Sequence, residues 1–246
     1  MPDTALSTRA SIDRIFERAA SHYDVMNDLM SGGVHRLWKT MMLDWLAPPR
    51  NDTPFHLLDM AGGTGDIALG CLDRAGEGTF VTLCDINLVM LEAGHQRFSA
   101  GGPYKPQLHN RLQIGCANAE ALPFPDKSFD AYTIAFGLRN MEHREQALGE
   151  AFRVLRSGGR FLCLEFSPMV MPGLKELYDA WSFWGIPTLG QIVASEDGPW
   201  RYLVESIRQF PDRETLVRNL EETGFLQIKV RPLTGGIAVL HSGWRL

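Results

Sequence analysis

Hydrophobic residues recur along the chain at two different spacings, and the alternation between those spacings lays out a fold. Ile12, Ile15, Phe16 and Ala19 stand at i, i+3, i+4 and i+7, the stripe of an amphipathic helix. A second helix is predicted over 35–46, where Leu37, Trp38, Met41, Met42 and Trp45 share one broad face before Pro48-Pro49 closes the segment. Short apolar runs bounded by Gly, Pro or polar clusters then read as strands at 55–60, 80–85, 112–116, 129–136 and 160–166. Helical spacing returns between them, from about 64–66 onward, over 88–98 and over 144–155, and Ser157-Gly158-Gly159 reads as the stop of the last. Residues 100–110, with Gly101, Gly102, Pro103 and Pro106, form a loop. Such alternation predicts a doubly wound, mostly parallel sheet with helices on its faces. Residues 168–208 interrupt it with a helical insertion rich in aromatics: Tyr178, Trp181, Phe183, Trp184, Trp200 and Tyr202. A helix over 215–222, ended by Gly224, and two strands at 226–231 and 236–241 follow. Their short link predicts an antiparallel hairpin at one edge of a seven-stranded sheet.

Composition changes this picture only by exclusion. A chain of 246 residues with 45% hydrophobic and 22% charged residues suits one α/β domain with a helical addition. Its net charge of −5 gives a nucleic-acid partner no overall electrostatic help. Cys71, Cys84, Cys116 and Cys163 show no C-x-x-C spacing and read as buried free thiols of a reducing compartment. The seven histidines form no metal-ligand pair, so no protein metal site is expected. No apolar block marks a signal peptide, and the longest uncharged stretch, 180–195, is broken by Gly185, Pro187 and Gly190 and too short to span a bilayer.

The chemistry concentrates in LLDMAGGTGDIA at 57–68. A buried strand runs into Gly62, Gly63, Thr64 and Gly65, and a helix follows. Three glycines in four positions let the backbone take left-handed angles and approach a ligand closely. The helix N-terminus offers N–H groups and a positive dipole end to a carboxylate or phosphate. Asp59 precedes the glycines within the strand, and Asp85 ends the next strand, 26 positions on. The G-x-G-x-x-G spacing of dinucleotide sites is absent, which disfavours a nicotinamide-dependent oxidoreductase. A tight structural turn is the alternative reading of the loop.

The arrangement of Asp59, the Gly loop and Asp85 resembles motif I of the class I S-adenosylmethionine-dependent methyltransferases and the ribose-binding acid that follows it. Further stretches are more specific. YDVMNDLMSGGVHRLW at 23–38, FGLRN at 136–140, RVLRSGGRFLCLEFS at 153–167, YLVESIRQFP at 202–211 and LTGGIAVLHSG at 233–243 resemble the ubiquinone/menaquinone biosynthesis C-methyltransferases, in that family's order. Departures are Arg156-Ser157 where Lys-Pro is usual, Ala135 in place of a hydroxyl residue, and Gly198-Pro199-Trp200 in the insertion. The resemblance implies a Rossmann-like class I methyltransferase domain over 50–246, with a substrate insertion at 168–208, preceded by a helical lid segment over 1–49. It further implies methyl transfer from S-adenosylmethionine to a ring carbon of a reduced polyprenyl benzoquinol or demethylmenaquinol.

Residue roles follow from the same resemblance. The cofactor falls to Asp59, Gly62, Gly63, Thr64, Gly65, Asp85, Asn118 and Ala119; a helix cap for Thr64 and an Asn turn at 118 are the structural alternatives. A ring carbon becomes nucleophilic when a neighbouring hydroxyl ionises, and a free phenol titrates near ~10, so the site must favour phenolate. Arg139, just beyond the fourth strand at the carboxyl rim of the sheet and always cationic, is expected to stabilise that charge beside Asn140, with Tyr23 completing the catalytic set and Asn27 and His35 in a lid; capping or pairing on a surface loop is the structural alternative for Arg139. The expected partners are the polyprenyl quinol, a second copy or a quinone-synthesis complex, and weak peripheral contact with the inner face of the membrane from the cytoplasm. Rival readings are a methyltransferase for another small aromatic or lipid acceptor and a cofactor-binding scaffold without catalysis.

Overall fold

The computed structural model describes residues 33–99, 110–167 and 205–246. Helix α1 spans His35–Leu46, matching the predicted bounds, and ends at Ala47 in the left-handed region with φ 50°. The first βα units are β1 (Phe55–Met60), α2 (Asp66–Arg74), β2 (Thr79–Asp85), α3 (Leu88–Ser99) and β3 (Leu112–Cys116). Then come β4 (Phe129–Ala135), a 3-10 turn at Leu138–Asn140, α4 (Arg144–Val154), β5 (Leu155–Phe166), α5 (Arg213–Thr223), β6 (Leu226–Leu233) and β7 (Ala238–Arg245).

The seven strands form one sheet in the order β3-β2-β1-β4-β5-β7-β6. The first five are parallel, and β7 runs antiparallel to both β5 and β6. The predicted hairpin therefore exists with its later strand inside and β6 on the edge. Alternating residues of each strand divide between two cores. Leu57, Ala131, Leu162 and Leu164 pack with α1 and α2, while Leu58, Tyr132, Ile134, Phe161 and Cys163 pack with α4 and α5. Period-two patterning thus buries both faces of a parallel sheet.

Two boundaries differ from the sequence reading. Helix α4 stops at Val154, three residues before Ser157, and the backbone enters β5 directly at Leu155. Gly158, at φ 80°, serves an irregular stretch of β5 rather than a helix end. Strand β4 ends one residue early because Phe136 takes φ 58°. Cys116 is exposed, a correction to the reading of four buried thiols; Cys71, Cys84 and Cys163 are buried. Among the described residues no helix is long and apolar enough to cross a membrane.

Strand order reverses between β1 and its two neighbours: the chain leaves β1 toward β2 and returns to add β4 on the other side. A crevice at the carboxyl ends of the strands belongs there.

Candidate active site

The loop after β1 closes onto its own neighbours. Gly62 N–H donates to the Cys84 carbonyl at 3.1 Å, extending the β1–β2 ladder by one residue, and Gly65 N–H turns back to Gly62 O at 2.8 Å. A Cβ at Gly62 would stand 2.2 Å from Leu83 Cδ1 and 2.8 Å from Asp59 Oδ2, so no larger residue fits. Gly63 and Gly65 have φ of 53° and 85°, which only glycine adopts freely. The loop after β4 meets it: a Cβ on Gly137 would lie 2.4 Å from Ala61 Cβ. The two loops flanking the strand-order reversal are therefore in direct contact.

Two acids hold the glycine loop, in different ways. Asp85, half-buried at the end of β2, accepts from Gly63 N–H through Oδ2 and from Asn87 N–H through Oδ1, both at 2.9 Å. Burial pushes its carboxyl above the usual range, against those N–H bonds. Each oxygen retains a second acceptor position, enough for a pair of vicinal hydroxyls. Asp59 is placed elsewhere. The sequence reading puts it among the cofactor ligands, yet its carboxyl is fully buried beneath the loop. It accepts from Thr133 Oγ1 at 2.8 Å and from Ala68 N–H of α2 at 3.1 Å. Burial raises its pKa to about 7. Asp59 is a brace that ties β1, β4 and the start of α2 together. One first-turn N–H group of α2 thus faces inward to Asp59 rather than outward to a ligand.

The helix cap is Gly65 rather than Thr64. Asn118 forms the Asn turn: its Oδ1 accepts from Glu120 N–H at 3.1 Å and its carbonyl from Ala121 N–H at 3.0 Å. Ala119 is 1% exposed as a whole residue and belongs to the core.

The larger correction concerns Arg139. The sequence reading expects a cation at the rim; the structure buries its side chain against Glu165 of β5. Arg139 Nη1 donates to Glu165 Oε2 at 2.9 Å and to the Phe136 carbonyl at 2.6 Å, and its backbone N–H donates to Glu165 Oε1 at 3.1 Å. The guanidinium also lies 5.7 Å from the Phe166 ring centre. Its charge is thus balanced within the protein and its position fixed, and the 3-10 turn that carries half-buried Asn140 is anchored to β5. Glu165 lies inside the RVLRSGGRFLCLEFS stretch but receives no role from the motif; one acid within the apolar run FLCLEF is the signal that marks it as a buried partner.

Helix α1 completes the wall. Trp38 packs on Phe136 and Phe166, with centroids 6.3 and 5.9 Å apart, and donates Nε1–H to Thr234 Oγ1 at 2.8 Å. Lys39 pairs with Asp66 at the start of α2 at 2.7 Å. His35 is 1% exposed at the head of α1. Tyr23 and Asn27 lie outside the described residues, as does most of the insertion.

An open, mostly parallel sheet with a glycine loop at its strand-order reversal, and an acid closing the neighbouring strand, defines a class I S-adenosylmethionine-dependent methyltransferase. Solved structures agree on the fold. A SAM-dependent methyltransferase of Thermotoga maritima superposes with a TM-score of 0.65 at 19% identity, covering 95% of this chain and 99% of that one. The [4+2]-cyclase SpnF reaches 0.66 at 17% identity, covering 97% of each chain. The chain belongs to the ubiE/COQ5 methyltransferase family, whose model matches residues 4–245. It is 52% identical to the ubiquinone/menaquinone biosynthesis C-methyltransferase UbiE of Bradyrhizobium sp. strain BTAi1, over 96% of this chain and 91% of that protein. Identity with the protein of the same name from Paracoccus denitrificans is 55%, over 94% and 89%. The protein is an S-adenosylmethionine-dependent methyltransferase.

Proposed function

We propose that this chain methylates a ring carbon of a reduced polyprenyl quinol, of the benzoquinol or naphthoquinol type, working in the cytoplasm against the inner face of the membrane. The observation that supports the acceptor is the match to the ubiE/COQ5 methyltransferase family over residues 4–245. Half-buried Asn140 stands on the 3-10 turn that the buried Arg139–Glu165 pair anchors from beneath, beside the buried aromatics Trp38, Phe136 and Phe166.

The cofactor supplies an electrophilic sulfonium methyl group. Asp85 holds the ribose hydroxyls through its remaining acceptor positions, the Gly62–Gly65 backbone allows the close approach of the amino-acid portion, and the 118–119 turn borders the adenine. Arg139, held in place by Glu165, would favour negative charge on the quinol oxygen as its proton leaves, and Asn140 would orient that oxygen. The ortho carbon would gain the methyl group as the S–CH3 bond breaks to leave a thioether, and its own ring hydrogen would then leave as a proton, restoring the aromatic ring. The remaining work is alignment of carbon, methyl and sulfur in line.

The test is direct. Purified protein is given labelled S-adenosylmethionine with reduced, demethylated quinones of both ring types, and the methylated carbon is located by mass spectrometry and NMR. Label on a ring carbon of either quinol supports the proposal. Label only on oxygen, or only on unrelated aromatic acceptors, rejects it.

A further inference from the structure

Helix α1 has an outer face as well as an inner one. Leu37 and Met41, one turn apart, are 57% and 41% exposed, and Trp45 follows one turn further on. Strand register carries this surface onto the sheet. Arg160, Trp244 and Leu226 stand opposite one another across β5, β7 and β6, so they share a face. Arg160 is two residues from Leu162, which packs on the α1 side. By the same register Lys229 and Arg231 of β6, paired with Ser242 and Leu240, present on that side at the sheet edge.

The centre of this face is an arginine–tryptophan cluster. The Arg160 guanidinium lies 5.2 Å from the Trp45 ring centre and 5.0 Å from that of Trp244, and it donates to the Trp45 carbonyl and to Ser242 Oγ. Arg231 lies 4.1 Å from the Trp45 ring. Among the described residues no carboxylate pairs with either arginine, and each adds to the other's repulsion; burial and Arg231 both push the Arg160 pKa down. In a chain of net charge −5, an uncompensated pair of cations between tryptophans, flanked by exposed Leu37, Met41 and Leu226, is a local exception. Guanidinium groups bind phosphate in a forked geometry, and tryptophan settles where apolar and polar layers meet.

We infer that the outer stripe of α1 and the Arg160–Arg231–Trp45–Trp244 cluster form the surface by which this protein docks onto an anionic lipid bilayer. Phosphate headgroups neutralise the two arginines while Leu37, Met41 and Leu226 enter the interface. Helix α1 links this surface to the active site, since its inner side holds Trp38 against Phe136 and Phe166. Docking itself does not depend on the substrate assigned above; its benefit to catalysis does.

Flotation of the purified full chain with vesicles tests it. Vesicles of phosphatidylcholine alone are compared with vesicles about one-third phosphatidylglycerol. Wild type should float with the anionic vesicles and be released by ~1 M salt. Arg231→Glu, a change of two charges at an exposed site, should weaken partitioning about thirtyfold. Lys229→Glu should act likewise and guards against misfolding of the first variant. Arg218→Glu, on α5 against the opposite core, should bind as wild type. Turnover of Arg231→Glu should fall for a long-tailed quinol embedded in vesicles and stay unchanged for a short-tailed, water-soluble one. Equal binding to both vesicle types, equal loss in Arg218→Glu, or an Arg231→Glu protein that loses only a self-associated state in light scattering overturns the inference. Failure to methylate any quinol would instead reject the substrate assignment and leave the flotation result standing.

Discussion

Glu165→Gln preserves the shape of its side chain but removes the counter-charge that the Arg139 guanidinium faces, with both side chains at most 2% exposed. Breaking a buried pair from one side costs about 3–5 kcal/mol, because the remaining charge is left in a poor solvent. In a chain of this size that lowers Tm by roughly 6–20 °C. Arg139→Ala should cost a similar amount, leaving the carboxylate behind, and should also lower kcat by about a hundredfold with little change in cofactor affinity. The double variant Arg139→Ala with Glu165→Gln should regain stability relative to the sum of its parts while remaining inactive. Calorimetric Tm values and initial rates on the four proteins check this, and strict additivity would show that the pair does not couple. Asp85 makes a cleaner cofactor test than Asp59. Asp85→Ala should weaken S-adenosylmethionine binding at least about tenfold by titration calorimetry, since hydrogen bonds to a charged acceptor are worth ~1.5–3 kcal/mol each. Motif reading found both acids but could not separate their roles. The distinction depends on whether a carboxyl faces Thr133 and Ala68 or the crevice, and strand periodicity alone does not reveal what lies opposite.

At the scale of elements, apolar spacing locates every described strand and α-helix, because the central strands are apolar runs covered on both faces, while the edge strands β3 and β6 stand out by their flanking turns. Ends were harder to read. Ser157-Gly158-Gly159 looks like a helix stop, but its local signal is overridden by the pairing of Leu155 with Phe129 and of Gly159 with Arg245, which draws the segment into β5. The site's least legible feature was the contact between the loops after β1 and β4, 137 − 61 = 76 residues apart in sequence. Gly137 has an ordinary φ of −117°, so its need for glycine comes from Ala61 and not from backbone strain. Gly137→Ala should therefore push the two loops apart. We expect KM for S-adenosylmethionine to rise several-fold, with Tm lowered by the ~1–3 kcal/mol typical of overpacking. Gly149→Ala, where an added Cβ meets nothing within 4 Å, is the matched control. Equal kinetics for the two variants would show that the loop contact does not shape the cofactor site.

At the scale of the whole molecule, two buried titrating groups oppose each other across the acid side of neutrality. Asp59 is raised from an ordinary 3.8 to about 7 by burial, so the folded protein holds that proton more firmly than the unfolded chain. Its contribution to stability is complete below pH ~4 and is lost as pH rises toward ~7. His241 of β7 is 2% exposed, with Nε2 3.4 Å from the Arg213 carbonyl, and burial lowers its pKa from 6.5 to about 4. Its contribution has the other sign: complete above pH ~6.5 and lost as pH falls through ~4. The His241 slope opposes the Asp59 slope, to which Asp85, also raised by burial, adds. Single replacements should unmask them. Relative to wild type, Asp59→Asn should gain Tm as pH is raised from ~4.5 to ~7.5, because only wild type then has a buried carboxyl to ionise. His241→Gln should gain relative to wild type as pH is lowered over the same interval. The constant offset from lost packing or hydrogen bonds differs between variants and is not the signal; the slope of the difference with pH is. Differential scanning calorimetry across that interval reads both slopes. Parallel curves for Asp59→Asn and wild type would mean that Asp59 ionises as readily in the folded chain as in the unfolded one. Its place beneath the glycine loop would then be open to water rather than sealed by β1, β4 and α2.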